Sequence, residues 1–363
     1  MALIGLPLKH LAVNTPLHLL EDCGGVAIQL KREDLNPTGS VKDRVAPAFV
    51  DDLVKRGKLH PGMRIVLDSG GNTALSVAHY AIPQGYCVTA CVLDVYSQAA
   101  KDRLRDLGVE VFEVPHLLPE WDPEGRKGKA YELSQEAGSC YLDQYNNPAG
   151  FRTVRDILGP EIWRQTQDDL THLVAGYGTG ASLLGAASYL KRRDPKIRIV
   201  AVQPRGSVLD LFVAFETVRN QPLEAQVAAL QPIIGMYQAL GMQVDMTVNP
   251  DAPPNERIEV ELDITRMWHI DGIGITLLTK LSQRYLPLID EVLTVEDETA
   301  FEETRRLHAQ NILVGGSSGA AVVGAKIVAE RLKREHARGC IVVITPDEWT
   351  RSREKVYISY DKS

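Results

Sequence analysis

The sequence predicts an α/β protein of two lobes, each a mostly parallel sheet flanked by helices. Three observations predict it. Short apolar runs alternate with helical patterns from Arg64 onward, the same rhythm returns from His172, and glycine-rich turns sit between strands and helices. With 363 residues, 44% of them hydrophobic, the chain is long enough for two packed lobes and a cleft between them. In such folds ligands bind beyond the carboxyl ends of the strands.

The first informative element is the run Lys31-Arg32-Glu33-Asp34-Leu35-Asn36-Pro37-Thr38-Gly39-Ser40-Val41-Lys42-Asp43-Arg44. Asn36, Pro37 and Gly39 favour a turn, and Ser40 can cap the amides that follow. Val45, Ala48, Phe49, Leu53 and Val54 then give a helix an apolar face, so Lys42 falls on its first turn. A surface lysine is the ordinary reading of such a residue. A fixed amine at a buried helix start can instead lose its proton and attack an aldehyde.

The first lobe continues as strand Arg64 to Asp68, helix Ala74 to Ile82, strand Cys87 to Leu93, helix Gln98 to Leu107 and strand Glu110 to Val114. His116 to Lys129 carries Pro119, Pro123, Gly125 and Gly128 and is predicted to be a mobile surface excursion. Asp68-Ser69-Gly70-Gly71-Asn72-Thr73-Ala74 joins strand to helix. Two readings fit it: a tight turn that needs glycine, and an anion site made of amides and short polar side chains.

In the second lobe the elements are His172 to Ala175, Leu183 to Lys191, Ile197 to Val202, Glu291 to Val295, Glu298 to Ala309, Ala320 to Leu332 and Cys340 to Thr345. Gln203 to Arg257 shows one helical stretch, Val208 to Val218, among many prolines. Gly176-Tyr177-Gly178-Thr179-Gly180-Ala181-Ser182 lies between strand and helix, and its amides with the Thr179 and Ser182 hydroxyls suit a phosphate. A dinucleotide fingerprint would need glycine where Ala181 stands, and the next strand ends near Gln203 where a ribose-binding acid belongs. Gly315-Gly316-Ser317-Ser318-Gly319 again joins a strand to a small-residue helix.

Composition excludes several classes. A net charge of -7 argues against general attraction to nucleic acid or anionic membranes. Cys23, Cys87, Cys91, Cys140 and Cys340 form no C-x-x-C pair, and the histidines lack metal-ligand spacing, so no metal and a reducing cytoplasm are expected. Cys87 and Cys91 read as small buried strand residues. Met1 to Leu8 is too short for a signal peptide, and no apolar run reaches the roughly 18 residues of a membrane span.

The lysine run resembles the lysine loop of tryptophan-synthase-β-like, fold-type II pyridoxal phosphate enzymes, most closely cysteine synthases and cystathionine β-synthases, through Lys31, Glu33, Asn36, Pro37, Ser40, Lys42, Asp43 and Arg44. Further matches follow in the family's order: Asn72-Thr73 in the asparagine loop, Gln144-Tyr145-Asn146-Asn147-Pro148-Ala149, Gly159-Pro160-Glu161-Ile162-Trp163, the phosphate loop at 176–182, Gly272-Ile273-Gly274, and Ser317. The resemblance runs from Thr15 to Thr345. It departs at Gly70, where relatives usually carry a serine that contacts substrate, at Gly150, Val154, Ile157 and Leu158, and at Pro346-Asp347-Glu348-Trp349.

The resemblance implies pyridoxal 5'-phosphate held on Lys42, with Asn72, Gly176, Gly178, Thr179, Gly180, Ala181, Ser182 and Ser317 as its other contacts. It implies substrate contacts from Ser69, Gly70, Gly71, Asn72, Thr73, Gln144 and Gly272. Residues 36–150 would be a smaller mobile lobe, and 10–35 with 151–347 the larger, cofactor-binding one. Ser317 would face the pyridine nitrogen and leave it essentially neutral, which suits chemistry at the β-carbon better than transamination. The expected reaction is β-replacement on O-acetylserine or O-phosphoserine through an aminoacrylate, with a sulfur nucleophile, in a homodimer. An amine nucleophile giving a 2,3-diaminopropionate-type product, elimination to a keto acid, and a non-catalytic cofactor-binding homologue are the alternatives. Arg152 and Arg155 are candidates for an anionic leaving group.

Overall fold

The computed structural model describes residues 14–118, 121–253, 258–263 and 268–357. The stretch Met1 to Leu8, residues 10–13 of the larger lobe, Pro119 of the excursion and Pro254 to Arg257 lie outside the described residues.

Two sheets carry the fold. The larger has six strands in the order β1 (Leu17–Cys23), β2 (Val26–Arg32), β12 (Gly339–Thr345), β7 (His172–Gly176), β8 (Arg198–Pro204) and β11 (Glu291–Val295). All its pairings are parallel except β1 with β2. The smaller is wholly parallel, in the order β5 (Glu110–Val114), β4 (Cys87–Leu93), β3 (Arg64–Leu67) and β6 (Ser139–Tyr141). A separate antiparallel pair, β9 (Gln243–Val248) and β10 (Ile258–Asp263), stands apart from both.

One apolar cluster runs through both sheets, from Val45, Phe49, Leu67, Leu75 and Val92 to Leu173, Ala175, Leu183 and Leu184. The Lys42–Lys55 helix buries Val45, Phe49 and Leu53 in it, whereas Val54, expected on the same face, is exposed. Val154 and Leu158 are fully buried in this cluster, so that departure from the cysteine-synthase pattern builds core.

Register sets where the loops converge. In the larger sheet β12 lies between β2 and β7, with Thr345 opposite Arg32 and Val343 opposite Val174. The carboxyl ends of these three neighbours therefore open side by side. They deliver the lysine loop after β2, Pro346-Asp347 after β12 and the glycine-rich loop after β7.

Strands β1 and β2, for which the sequence reading states no element, form a hairpin closed by Gly24-Gly25, with φ of +68° and +89°, a two-residue turn that glycine enters without strain. Several expectations are corrected. The 116–129 excursion ends early, because a helix begins at Arg126. In the proline-containing stretch a 17-residue helix, Leu223–Ala239, accommodates Pro232. Cys87 is exposed at the start of β4, and Cys91, Cys140 and Cys340 are buried free thiols. Burial pushes the Cys91 thiol up to about 12 and that of Cys140 to about 11, away from nucleophilic use. Among the described residues no helix is long and apolar enough to cross a membrane.

Candidate active site

The lysine loop is held from below by a buried ion cluster. The fully buried Arg44 guanidinium donates Nε to Glu33 Oε2 at 2.6 Å and Nη2 to Oε1 at 2.8 Å. Its Nη1 and Nη2 reach Glu161 Oε1 and Oε2 at 2.9 and 2.8 Å. Lys31 Nζ adds bonds to Glu161 Oε2 at 2.9 Å and to the Thr15 carbonyl at 2.7 Å. Burial opposes the Arg44 charge, but the hydrogen bonds and charges of Glu33 and Glu161 outweigh it and raise its pKa. Asn36 Nδ2 donates to Glu33 Oε2 at 2.8 Å and to the Ser40 carbonyl at 3.1 Å, which ties the turn to this cluster. Ser40 Oγ accepts the Lys42 N–H at 3.3 Å as the helix starts. Thr38 donates its N–H and hydroxyl to Asp43 at 2.7 and 2.6 Å, so that carboxylate is spent on loop geometry.

Above the cluster one cavity gathers most of the expected site. Its lining includes Lys42, Asn72, Gly176, Gly178, Thr179, Gly180, Ser182, Gly272 and Ser317. The glycine loop and the 272–274 segment pack closely. A Cβ at Gly178 would stand 2.4 Å from the Gly272 carbonyl oxygen, and Gly274 N–H donates to the Tyr177 carbonyl at 2.7 Å. Glycine is required at 178 for this protein contact as well as for access to an anion. The helix that begins at Ala181 aims its first amides at the same space, although Ala181 itself does not line it.

Ser69, Gly70, Gly71, Thr73 and Gln144 lie outside that lining. The first four belong to the adjoining asparagine loop, where Gly71 N–H donates to Ser69 Oγ at 3.3 Å, and Gln144, after β6, joins it by accepting from Thr73 Oγ1 at its Oε1 at 2.6 Å. Arg152 and Arg155 also stand away from the cavity. Arg155 Nε bonds Asp156 Oδ1 at 2.6 Å, and Arg152 approaches Asp52 at 3.8 Å.

Two residues were missed. Asp347 lines the cavity and is buried; its Oδ2 accepts from Asn72 Nδ2 at 2.9 Å and its Oδ1 from Ser317 Oγ at 3.1 Å. Its position two residues past the end of a fully buried strand was the available signal. Tyr96 is the other. A Cβ at Gly70 would lie 2.4 Å from Tyr96 Cε2 and 2.8 Å from Val92 Cγ1, so the tyrosine ring fills the space that a serine at this position would need.

The donor set fits pyridoxal phosphate: an amine for its aldehyde, amides and hydroxyls for its phosphate, and an amide and a hydroxyl for its ring edge. Comparison with known families decides the matter, since residues 8–347 match the model described as "Pyridoxal-phosphate dependent enzyme". The chain belongs to this family. It is therefore a pyridoxal-phosphate-dependent enzyme of fold-type II. The cystathionine beta-synthase of Apis mellifera is 30% identical over 322 residues, 88% of this chain and 54% of that protein, so the chain spans about half of that relative's length. The crystal structure of O-acetylserine dependent cystathionine beta-synthase from Helicobacter pylori matches with a TM-score of 0.73 and 28% identity, over 98% of this chain and 100% of that one. O-ureido-L-serine synthase also matches, with a TM-score of 0.73 and 25% identity over 96% and 94%.

Proposed function

We propose that this enzyme carries out β-replacement on an O-activated L-serine, O-acetylserine or O-phosphoserine, with a sulfur nucleophile. The observation that carries the reading is the single cavity in which Lys42, the 176–182 loop, Asn72 and Ser317 meet. Relatives named for O-acetylserine-dependent chemistry support it.

Pyridoxal phosphate, when bound, acidifies the Cα proton of an attached amino acid and so lets a β-substituent leave. The chain's residues do the rest. Lys42 Nζ holds the cofactor, then takes the Cα proton and later returns it. Gly176, Gly178, Thr179, Gly180 and Ser182 bind the phosphate with amides and hydroxyls, with the helix at Ala181 adding its dipole. Asn72 holds the phenolic oxygen side and Ser317 the ring nitrogen. Ser69, Thr73 and Gln144 grip the α-carboxylate, with the Gly70 and Gly71 amides and Gly272 at its edge. Residues 36–150 act as the lobe that closes over the substrate, in a homodimer.

A second reading concerns the nucleophile alone. Likeness to O-ureido-L-serine synthase favours keeping a non-sulfur nucleophile in view.

The test is an absorption spectrum of the purified protein before and after O-acetylserine and O-phosphoserine, with Lys42→Ala as control. A visible band that the control lacks, and that one ester alone changes, is the expected result. Adding sulfide or an amine should then restore the starting spectrum for the true nucleophile. Keto acid formed without any second substrate would instead identify an elimination enzyme. A band that no activated serine alters would overturn the reading.

A further inference from the structure

We propose that Ser282 is a positioning residue for the cofactor's phosphate: its hydroxyl holds the Thr179 carbonyl away from the cavity and so aims the Gly180 amide into it. The inference rests on the placement of the phosphate at the 176–182 loop in the function proposed above.

A trans peptide unit is planar, so its C=O and the N–H of the next residue point in opposite directions. Fixing one fixes the other. Ser282 Oγ donates to the Thr179 carbonyl at 3.0 Å, and Gly274 N–H donates to the Tyr177 carbonyl at 2.7 Å. Two alternate carbonyls of the loop are thus held by one stretch of chain, residues 274–282. The amides that follow them, those of Gly178 and Gly180, must turn the other way. Both glycines line the cavity, whereas Ser282 lies outside its lining and is 3% exposed. Neither glycine N–H has a hydrogen-bond partner among the described residues, and free amides that converge are what an anion binds.

The direction of the Ser282 proton is set locally. Thr279 caps the helix Lys280–Tyr285: its Oγ1 accepts the Ser282 N–H at 3.0 Å and donates to Ser282 Oγ at 2.9 Å. With that lone pair taken, Ser282 gives its own proton to the Thr179 carbonyl, which can only accept. Residue 180 has to be glycine for this arrangement. Its φ is +79°, and a Cβ there would lie 2.8 Å from both Ser282 Oγ and the Tyr177 hydroxyl. That phenol is 1% exposed and has no partner among the described residues, so it stands beside Ser282 as a substitute donor.

The test compares the affinity of the full chain, stripped of cofactor, for pyridoxal phosphate and for pyridoxal, which lacks the phosphate. Spectral titration reads both ligands in the wild type, in Ser282→Ala and in Ser282→Ala combined with Tyr177→Phe, which removes the substitute donor. The expected result is a loss of about tenfold for pyridoxal phosphate in the double variant, the worth of one well-placed hydrogen bond, with pyridoxal unaffected. An equal loss for both ligands, or no loss in the double variant, overturns the role of Ser282. A second readout needs no variant to fold: in the wild type, hydrogen exchange at the Gly180 amide should slow with pyridoxal phosphate and not with pyridoxal. Equal exchange with the two ligands, in a protein that binds pyridoxal phosphate more tightly, overturns the aim of that amide. A wild type that binds both ligands equally well removes the phosphate placement itself, and with it that part of the functional reading.

Discussion

The ring of Tyr96 occupies the space that a side chain at residue 70 would need. The two sit just beyond the carboxyl ends of neighbouring parallel strands, β3 and β4, and a Cβ at Gly70 would meet the ring at 2.4 Å. The glycine on one side of this contact leaves the room that the large ring on the other side fills. The Tyr96 hydroxyl has no hydrogen-bond partner among the described residues.

Gly70→Ser should therefore be costly alone, because overpacking costs about 1–3 kcal/mol. It should displace the asparagine loop and weaken amino-acid binding. Adding Tyr96→Ala should recover much of both losses. Urea denaturation and spectral titration with O-acetylserine on the two single variants and the double one would show the coupling. Strictly additive effects would mean that the two side chains do not compete for space.

Arg44→Ala should be among the most destabilising single changes in the chain. It leaves Glu33 and Glu161 buried without their main partner, a loss on the order of 3–5 kcal/mol. Chemical denaturation measures it. The same cluster should make the enzyme acid-sensitive. Burial alone would raise the Glu161 pKa, but Arg44 and Lys31 outweigh it and hold the carboxyl below its ordinary value. Its contribution is present at neutral pH and is lost as pH falls through that depressed value.

Asp68 behaves in the opposite sense. It is fully buried, Tyr141 donates to its Oδ1 at 3.0 Å, and its Oδ2 has no partner. Burial pushes the carboxyl up to about 6 despite the opposing charges of Arg126 and Lys127. Its contribution to stability is full below the unfolded value of 3.8 and is lost as pH rises through about 6. Asp68→Asn stays neutral throughout, so its advantage over the wild type should grow between those limits, to about 3 kcal/mol at most. Melting temperatures of both proteins across this range check it, and a difference independent of pH would contradict it.

Gly178→Ala should loosen cofactor binding. The added methyl meets the Gly272 carbonyl at 2.4 Å, so the glycine loop or the 272–274 segment must shift. Dialysis against cofactor-free buffer should strip this variant faster than the wild type. An unchanged rate would show that the loop absorbs the methyl without moving its amides.

Much of this molecule was legible in its residues. Strands β4, β5 and β11 fall where the sequence pattern puts them: β4 is buried along most of its length and reads as a nearly unbroken apolar run, while β5 and β11 are sheet edges whose apolar residues are interspersed with polar ones. The three loops that meet at the cavity were readable too, since glycine, capping residues and a lysine at fixed offsets constrain the backbone locally. The β1–β2 hairpin is a local feature too, since its turn is the Gly24-Gly25 pair. Other features were not local. The three-residue β6 is a strand only because β3 pairs with it, and the Leu223–Ala239 helix survives Pro232 because Leu230, Ile234 and Tyr237 are buried in a cluster of their own. Asp347 reaches Asn72 across 275 residues and Ser317 across 30, so its place depends on β12 inserting between β2 and β7. Tyr96 meets Gly70 only because β4 lies beside β3 in register. Local pattern determined which backbone turns could bind a phosphate and present an amine, because those turns draw their geometry from adjacent residues. Strand order decided which side chains from distant segments face them, because neighbours in a parallel sheet are set by crossovers that sequence spacing does not record.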